Sequence, residues 1–146
     1  MCYPVNRYQV FSFRRYSLPG ALLLLMLVSG LSPFIMAQTC TGIPDLECQA
    51  LYALYNGTGG DQWTDNTNWL STAPVGDWYG ITVENGHVTK VDLDDNGLTG
   101  PLPPEVGNLG SLDWLHLNLN ELSGTIPPEL GNLVNLVWLD LPGNQF

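Results

Sequence analysis

Few side chains in this sequence could do chemistry, and most of those are carboxylates. Its 146 residues include two histidines, His87 and His116, and three cysteines, Cys2, Cys40 and Cys48. Neither histidine has a serine or cysteine beside it, and there is no glycine-rich phosphate loop. Nucleophilic catalysis therefore lacks its parts, and the expectation is that the protein is not an enzyme. The run Asp92-Leu93-Asp94-Asp95-Asn96-Gly97 matches the opening of a calcium loop, D-x-D-x-N-G, but the twelfth place, where glutamate is needed, is Pro103. No metal or other cofactor is expected. The informative spacing is a longer one. Lys90, Trp114 and Trp138 stand 24 residues apart, as do Asp92, His116 and Asp140. Tryptophans beside carboxylates and an imidazole are suited to recognition, since the ring faces can hold a sugar or an apolar side chain while the polar groups set its orientation.

The 24-residue spacing comes from a repeat that must position these side chains. Val88 to Leu98, Leu112 to Leu122 and Leu136 to Phe146 align with apolar residues at the first, fourth, sixth and eleventh places, and with Asn96, Asn120 and Asn144 at the ninth. The intervening stretches match as well: GPLPPEVGNLGS at 100–111 and GTIPPELGNLVN at 124–135. Leu115-His116-Leu117 alternates apolar and polar, which predicts a short strand with one buried face. Stacked asparagines would satisfy buried backbone groups of neighbouring turns. Pro103, Pro104, Pro127 and Pro128 predict an extended and then tightly turned return segment, and Gly100 and Gly124 suit close backbone approach or positive φ. The outward third and fifth places of successive strands would lie about 4.8 Å apart. They stack Lys90, Trp114 and Trp138 in one row and Asp92, His116 and Asp140 in the next, with Asp94, Asp95, Asn118 and Leu119 alongside. His116 between two carboxylates reads either as an ordinary surface histidine or as one whose charge would make binding pH-dependent.

The stretch LDWLHLNLNELSGTIPPELGNLVN (112–135) resembles the plant-type 24-residue class of the leucine-rich-repeat family. The resemblance implies an α/β fold, a right-handed solenoid with a parallel concave sheet and a helical N-terminal cap. It also implies binding of proteins, peptides or sugars rather than catalysis. Before the repeats, Pro44 to Tyr55 carries a proline at a first helical position, early acidic residues and an apolar stripe of Leu46, Ala50, Leu51, Leu54 and Tyr55, ended by Asn56-Gly57. Trp63, Trp69 and Trp78 follow, and are expected to form a hydrophobic lid over the open end of the core. This segment is similar to the cap of plant receptor ectodomains and polygalacturonase inhibitors. In those proteins two cysteines bracket the element that corresponds to Trp78-Tyr79-Gly80-Ile81; here their places are Gly76 and Val83.

The remaining features concern location. Arg7, Arg14 and Arg15 precede the apolar run Ala21–Val28, and Ala37 supplies a small residue for cleavage, the order of a secretory signal peptide. The organisation expected is thus a signal peptide at 1–37, a cap at 38–86 and repeats at 87–146. After cleavage Cys40 and Cys48 remain, an even count that reads as a disulfide in an exported chain. Past Ala37 one lysine faces fourteen carboxylates, a formal −13, which excludes nucleic acid and anionic membrane surfaces as partners. The expected setting is secreted or at the cell surface, with no membrane insertion after cleavage and with an extracellular protein, peptide or glycan as partner. The third repeat stops at its eleventh place, Phe146. That would leave its apolar face open, and predicts either a longer array or a molecule covering that end.

Overall fold

A computed structural model describes residues 40–146, so the leader expected at 1–37 lies outside the described residues. The chain enters through helix α1, Asp45–Gly57. Pro44 is the N-cap, with ψ 151°, and so stands one place earlier than the sequence pattern suggests. Asp45 and Glu47 in the first turn complement the helix dipole. At the other end Thr58 closes the helix, its amide and hydroxyl both donating to the Leu54 carbonyl (3.1 and 2.7 Å). Ala50, Leu51, Leu54 and Tyr55 are buried as their spacing requires, but Leu46 is 61% exposed. Leu46 lies about a third of a turn from the centre of the buried face. Glu47, a residue the apolar pattern passes over, occupies that centre instead.

Glu47 is buried because its carboxylate is used. One oxygen meets His87 Nδ1 at 2.7 Å, and the other accepts the Val88 amide at 2.8 Å. This joins the helix to the first repeat strand, and a buried carboxylate with two partners avoids the cost of an unpaired charge. The expected disulfide is present: Cys40 and Cys48 are bonded, fastening the approach to α1.

The tryptophan lid forms as expected. Trp63, Trp69 and Trp78 are buried, in contact as Trp63–Trp69 at 4.9 Å and Trp69–Trp78 at 5.2 Å between ring centres, with Tyr55 against the first two. Each indole N–H donates to a backbone carbonyl, those of Thr58, Tyr79 and Ala73 respectively, so the rings bring no unpaired donor into the core.

Beyond the lid come strands β1 (Ile81–Glu84), β2 (His87–Asp92), β3 (Thr99–Pro101), β4 (Trp114–His116), β5 (Glu121–Ser123) and β6 (Trp138–Asp140). One sheet has the order β1-β2-β4-β6 and the other pairs β3 with β5. The β2-β4-β6 ladder is parallel, as the repeat implies. The edge strand β1, however, is antiparallel to β2. Asn85-Gly86 explains the difference. Both residues take positive φ (52° and 79°), the two-residue turn whose twist suits a hairpin. Between the sheets each repeat returns through a 3₁₀ turn, Pro104–Asn108 and Pro128–Asn132, which stack on one another, with α1 packed against the first. Gly100 and Gly124, at φ 79° and 86°, take the left-handed backbone their positions needed.

The core runs through the turns as a continuous column. Val88, Val91, Leu93 and Leu98 of the first repeat and Leu112, Leu115, Leu117 and Leu122 of the second are all fully buried. Burying each such side chain stabilises by roughly 1.5–3 kcal/mol, provided a neighbouring turn covers it. In the third repeat Leu136 and Leu141 are partly buried and Leu139 is 48% exposed.

Candidate functional site

The concave sheet carries the candidate residues in the predicted rows. Lys90, Trp114 and Trp138 are in register across β2, β4 and β6, and so are Asp92, His116 and Asp140. Between the two rows Val91, Leu115 and Leu139 point to the opposite face, the first two into the core. The apolar places already fill the interior, so the indoles face outward: Trp114 is 39% exposed and Trp138 56%. Their rings are 5.5 Å apart, tilted by 35°, and His116 adds a third ring 5.3 Å from Trp114.

One carboxylate organises the polar side of this surface. Asp92 Oδ2 receives the Lys90 ammonium at 2.6 Å, and Asp92 Oδ1 lies 3.8 Å from His116 Nδ1. The same ammonium sits over the Trp114 ring, 5.5 Å from its centre. Burial works to raise the pKa of Asp92. Hydrogen bonds with Lys90 and Asp94, together with the positive charges nearby, outweigh it and hold the carboxyl below the usual range. Asp94 is the other half of this couple. Its hydrogen bond to Asp92, a slight loss of hydration at this exposed position and the Asp92 charge raise it above the ordinary carboxylate value.

Asn120 holds the strands in step. Its Oδ1 accepts the amides of Asn96 and Leu98, and its Nδ2 donates to the carbonyls of Leu93, Leu117 and Asn118, all within 3.1 Å. Asn144 repeats the pattern one turn on, to Leu122, Leu117 and Leu141. Asn96 faces the cap instead, exchanging two hydrogen bonds with the backbone of Asp65. The eighth place, just before each asparagine, takes positive φ at Asp95 (47°), Leu119 (56°) and Gly143 (76°). Asp94 and Asp95 therefore belong to the turn that ends the strand. Leu119 is displayed at the same turn one repeat on, exposed and in a conformation that L residues rarely adopt.

The structure extends the face further than the repeat pattern shows. Thr82 and Glu84 of β1, with Thr89, Lys90, Asp113 and Trp114, line a shallow depression of about 200 Å³ at the edge of the Trp114 indole. Thr82 is directly paired with Lys90. The signal for this strand was Asn85-Gly86 flanked by apolar residues, a hairpin signature that a search by repeat period passes over. Asn56 of the glycosylation sequon Asn56-Gly57-Thr58 is exposed at the end of α1.

The family comparison bears on the repeats directly: the leucine-rich-repeat sequence profile ("Leucine rich repeat") matches residues 86–146. Among solved structures the chain is similar to the BIR2 ectodomain from Arabidopsis thaliana, with 30% identity and a TM-score of 0.60, over 70% of this chain and 56% of that one. It is also similar to the leucine-rich-repeat ectodomain of the receptor kinase SOBIR1 from Arabidopsis thaliana (23% identity, TM-score 0.56, 70% of this chain and 55% of that one). A plant ice-binding protein shares the fold as well, at 22% identity and TM-score 0.51, over 71% of this chain and 42% of that one. The chain thus spans about half the length of the solved structures it matches. Taken with the asparagine ladder and the parallel strands, these likenesses identify residues 86–146 as leucine-rich repeats similar to those of plant receptor ectodomains.

Proposed function

We propose that the protein is a non-enzymatic extracellular recognition module that holds a partner on its concave face around Trp114 and Trp138. The observation that carries this reading is the pair of indoles in register, ring centres 5.5 Å apart, exposed on a sheet whose other face is the core. Exposed aromatics on a rigid ladder lose little conformational freedom when they bind, which is why such residues dominate recognition surfaces. Export through the leader at 1–37, a secreted or cell-surface location and the division into cap (38–86) and repeats (87–146) belong to the same proposal. The disulfide and the likeness to receptor ectodomains support it.

Its test compares wild-type protein with the double variant Trp114→Ala/Trp138→Ala on arrays of extracellular glycans and peptides. Ligands retained by wild type and lost by a variant with unchanged far-UV circular dichroism support the reading. Equal retention by both would sink it. A second role, as the cap and opening turns of a longer cell-surface array, is favoured by the matched ectodomains, of which the aligned part makes up only 56% and 55%. In that case the double variant loses no ligand of this segment.

A further inference from the structure

Resting on the concave-face reading, we propose that the ligand presents a cationic side chain, lysine or arginine on an extended peptide, which lodges between Trp138 and Asp140. The molecule already contains a filled version of this contact. The Lys90 ammonium lies 5.5 Å from the centre of the Trp114 ring while its charge is met by Asp92 at 2.6 Å. Trp114 is exposed on one side of the contact, and Asp92 lies two places along the strand from the lysine.

Carried one strand further, the same rows present Trp138 in register with Trp114, and Asp140 in register with His116 and, beyond it, Asp92. Trp138 is the more exposed of the two indoles, and the strand that carries it, β6, has no lysine or arginine. A cation brought by a ligand would find there the open Trp138 ring and, two places along the same strand, the Asp140 carboxylate. The arrangement differs from that of Lys90, which meets Asp92 on its own strand and the indole on the next, because His116 holds the place equivalent to Asp92. Charge favours the same occupant. Among the described residues Lys90 is the sole lysine or arginine, whereas Glu84 and Asp113 line the depression beside Trp114, and Asp92 and Asp140 stand in the neighbouring row. A neutral sugar could use the rings but would leave this field unanswered.

The test titrates the protein with N-acetylated, C-amidated hexalysine at about 150 mM salt, where long-range attraction is screened. The readout is the indole N–H resonances in ¹⁵N-edited spectra, with neutral chitohexaose as the comparison probe. The expected result is a saturable shift confined to Trp114 and Trp138, with affinity at least ten-fold weaker in Trp138→Ala and Asp140→Asn and unchanged in the distant control Glu105→Gln. Lys90→Ala should bind hexalysine more tightly, because the internal ammonium no longer competes for the Trp114 ring. Shifts spread over the acidic surface, with equal losses in Glu105→Gln, would overturn the inference as unspecific charge attraction. Saturable chitohexaose binding at the indoles without hexalysine binding would overturn it too, yet leave the concave-face reading standing. Silence of both probes at the indoles would overturn it as well.

Discussion

Asn120 shows most directly what one side chain does for this molecule. Its amide makes five hydrogen bonds, all to backbone atoms and none to another side chain. An isosteric apolar residue would fit the space but leave buried N–H and C=O groups unpaired, at about 1–3 kcal/mol each. Asn120→Leu is therefore expected to lose about 3 kcal/mol or more in urea unfolding, and Asn144→Leu, on the more exposed turn, clearly less. Equal losses would mean that the ladder is not the source of the effect. The couple of Asp92 and Asp94 gives a prediction of opposite sign. A carboxyl whose folded-state pKa is raised contributes its stability while protonated and loses it as pH rises through that pKa. Asp94→Asn keeps a donor toward Asp92 without the charge, so the variant should melt higher than wild type at about pH 7. The difference should close as pH falls through the acid range, where Asp94 takes up its proton. A gap independent of pH would refute the coupling.

At the scale of elements, the junction between cap and sheet is the instructive part. The 3₁₀ turn Val75–Asp77 lies against β1, and a Cβ built on Gly76 would come within 3.7 Å of the Val83 Cβ. That separation falls in the range spanned by a disulfide, about 3.5–4.5 Å between Cβ atoms. These are the positions that the resemblance to plant caps marks as half-cystines, so this protein keeps the geometry and omits the bond. The paired variant Gly76→Cys/Val83→Cys is expected to oxidise spontaneously, with a two-hydrogen loss of mass, and to raise the melting temperature over its reduced form. Free thiols persisting after air oxidation would contradict the geometry. The natural molecule holds the junction by other means. Glu47 binds His87 and the Val88 amide from the helix side, the three indoles pack beneath, and Cys40–Cys48 secures the chain before α1.

Across the described residues, burial falls from the lid to the third repeat. Leu93 donates its amide to the His116 carbonyl within the fully covered first repeat, whereas Trp138 donates to Asp113 beside a half-exposed Leu139. Both hydrogen bonds are formed, so the difference between them lies in what covers them. Native-state hydrogen exchange of the 146-residue chain should accordingly show the Leu93 amide opening only with global unfolding and the Trp138 amide exchanging at least ten-fold faster. Uniform protection would mean that the turns unfold as one unit. This gradient bears on recognition as well, because the more exposed indole sits on the less protected strand, where a bound partner would add the most order.

The repeat, the strands with one buried face, the asparagine ladder, the left-handed glycines and the rows of Trp114–Trp138 and His116–Asp140 were all legible in the sequence, because a fixed period carries each place onto its copy one turn on. Helix α1 was legible too, apart from the inward turn of Glu47 and the outward turn of Leu46, since an apolar stripe cannot reveal a carboxylate that will find partners forty residues away. Local pattern also left open that Lys90 would cover Trp114 while Trp138 stayed bare, and that β1 would add Thr82 and Glu84 to the face. Those outcomes depend on which side chains meet across strands, and only the stacked turns bring them within reach of one another.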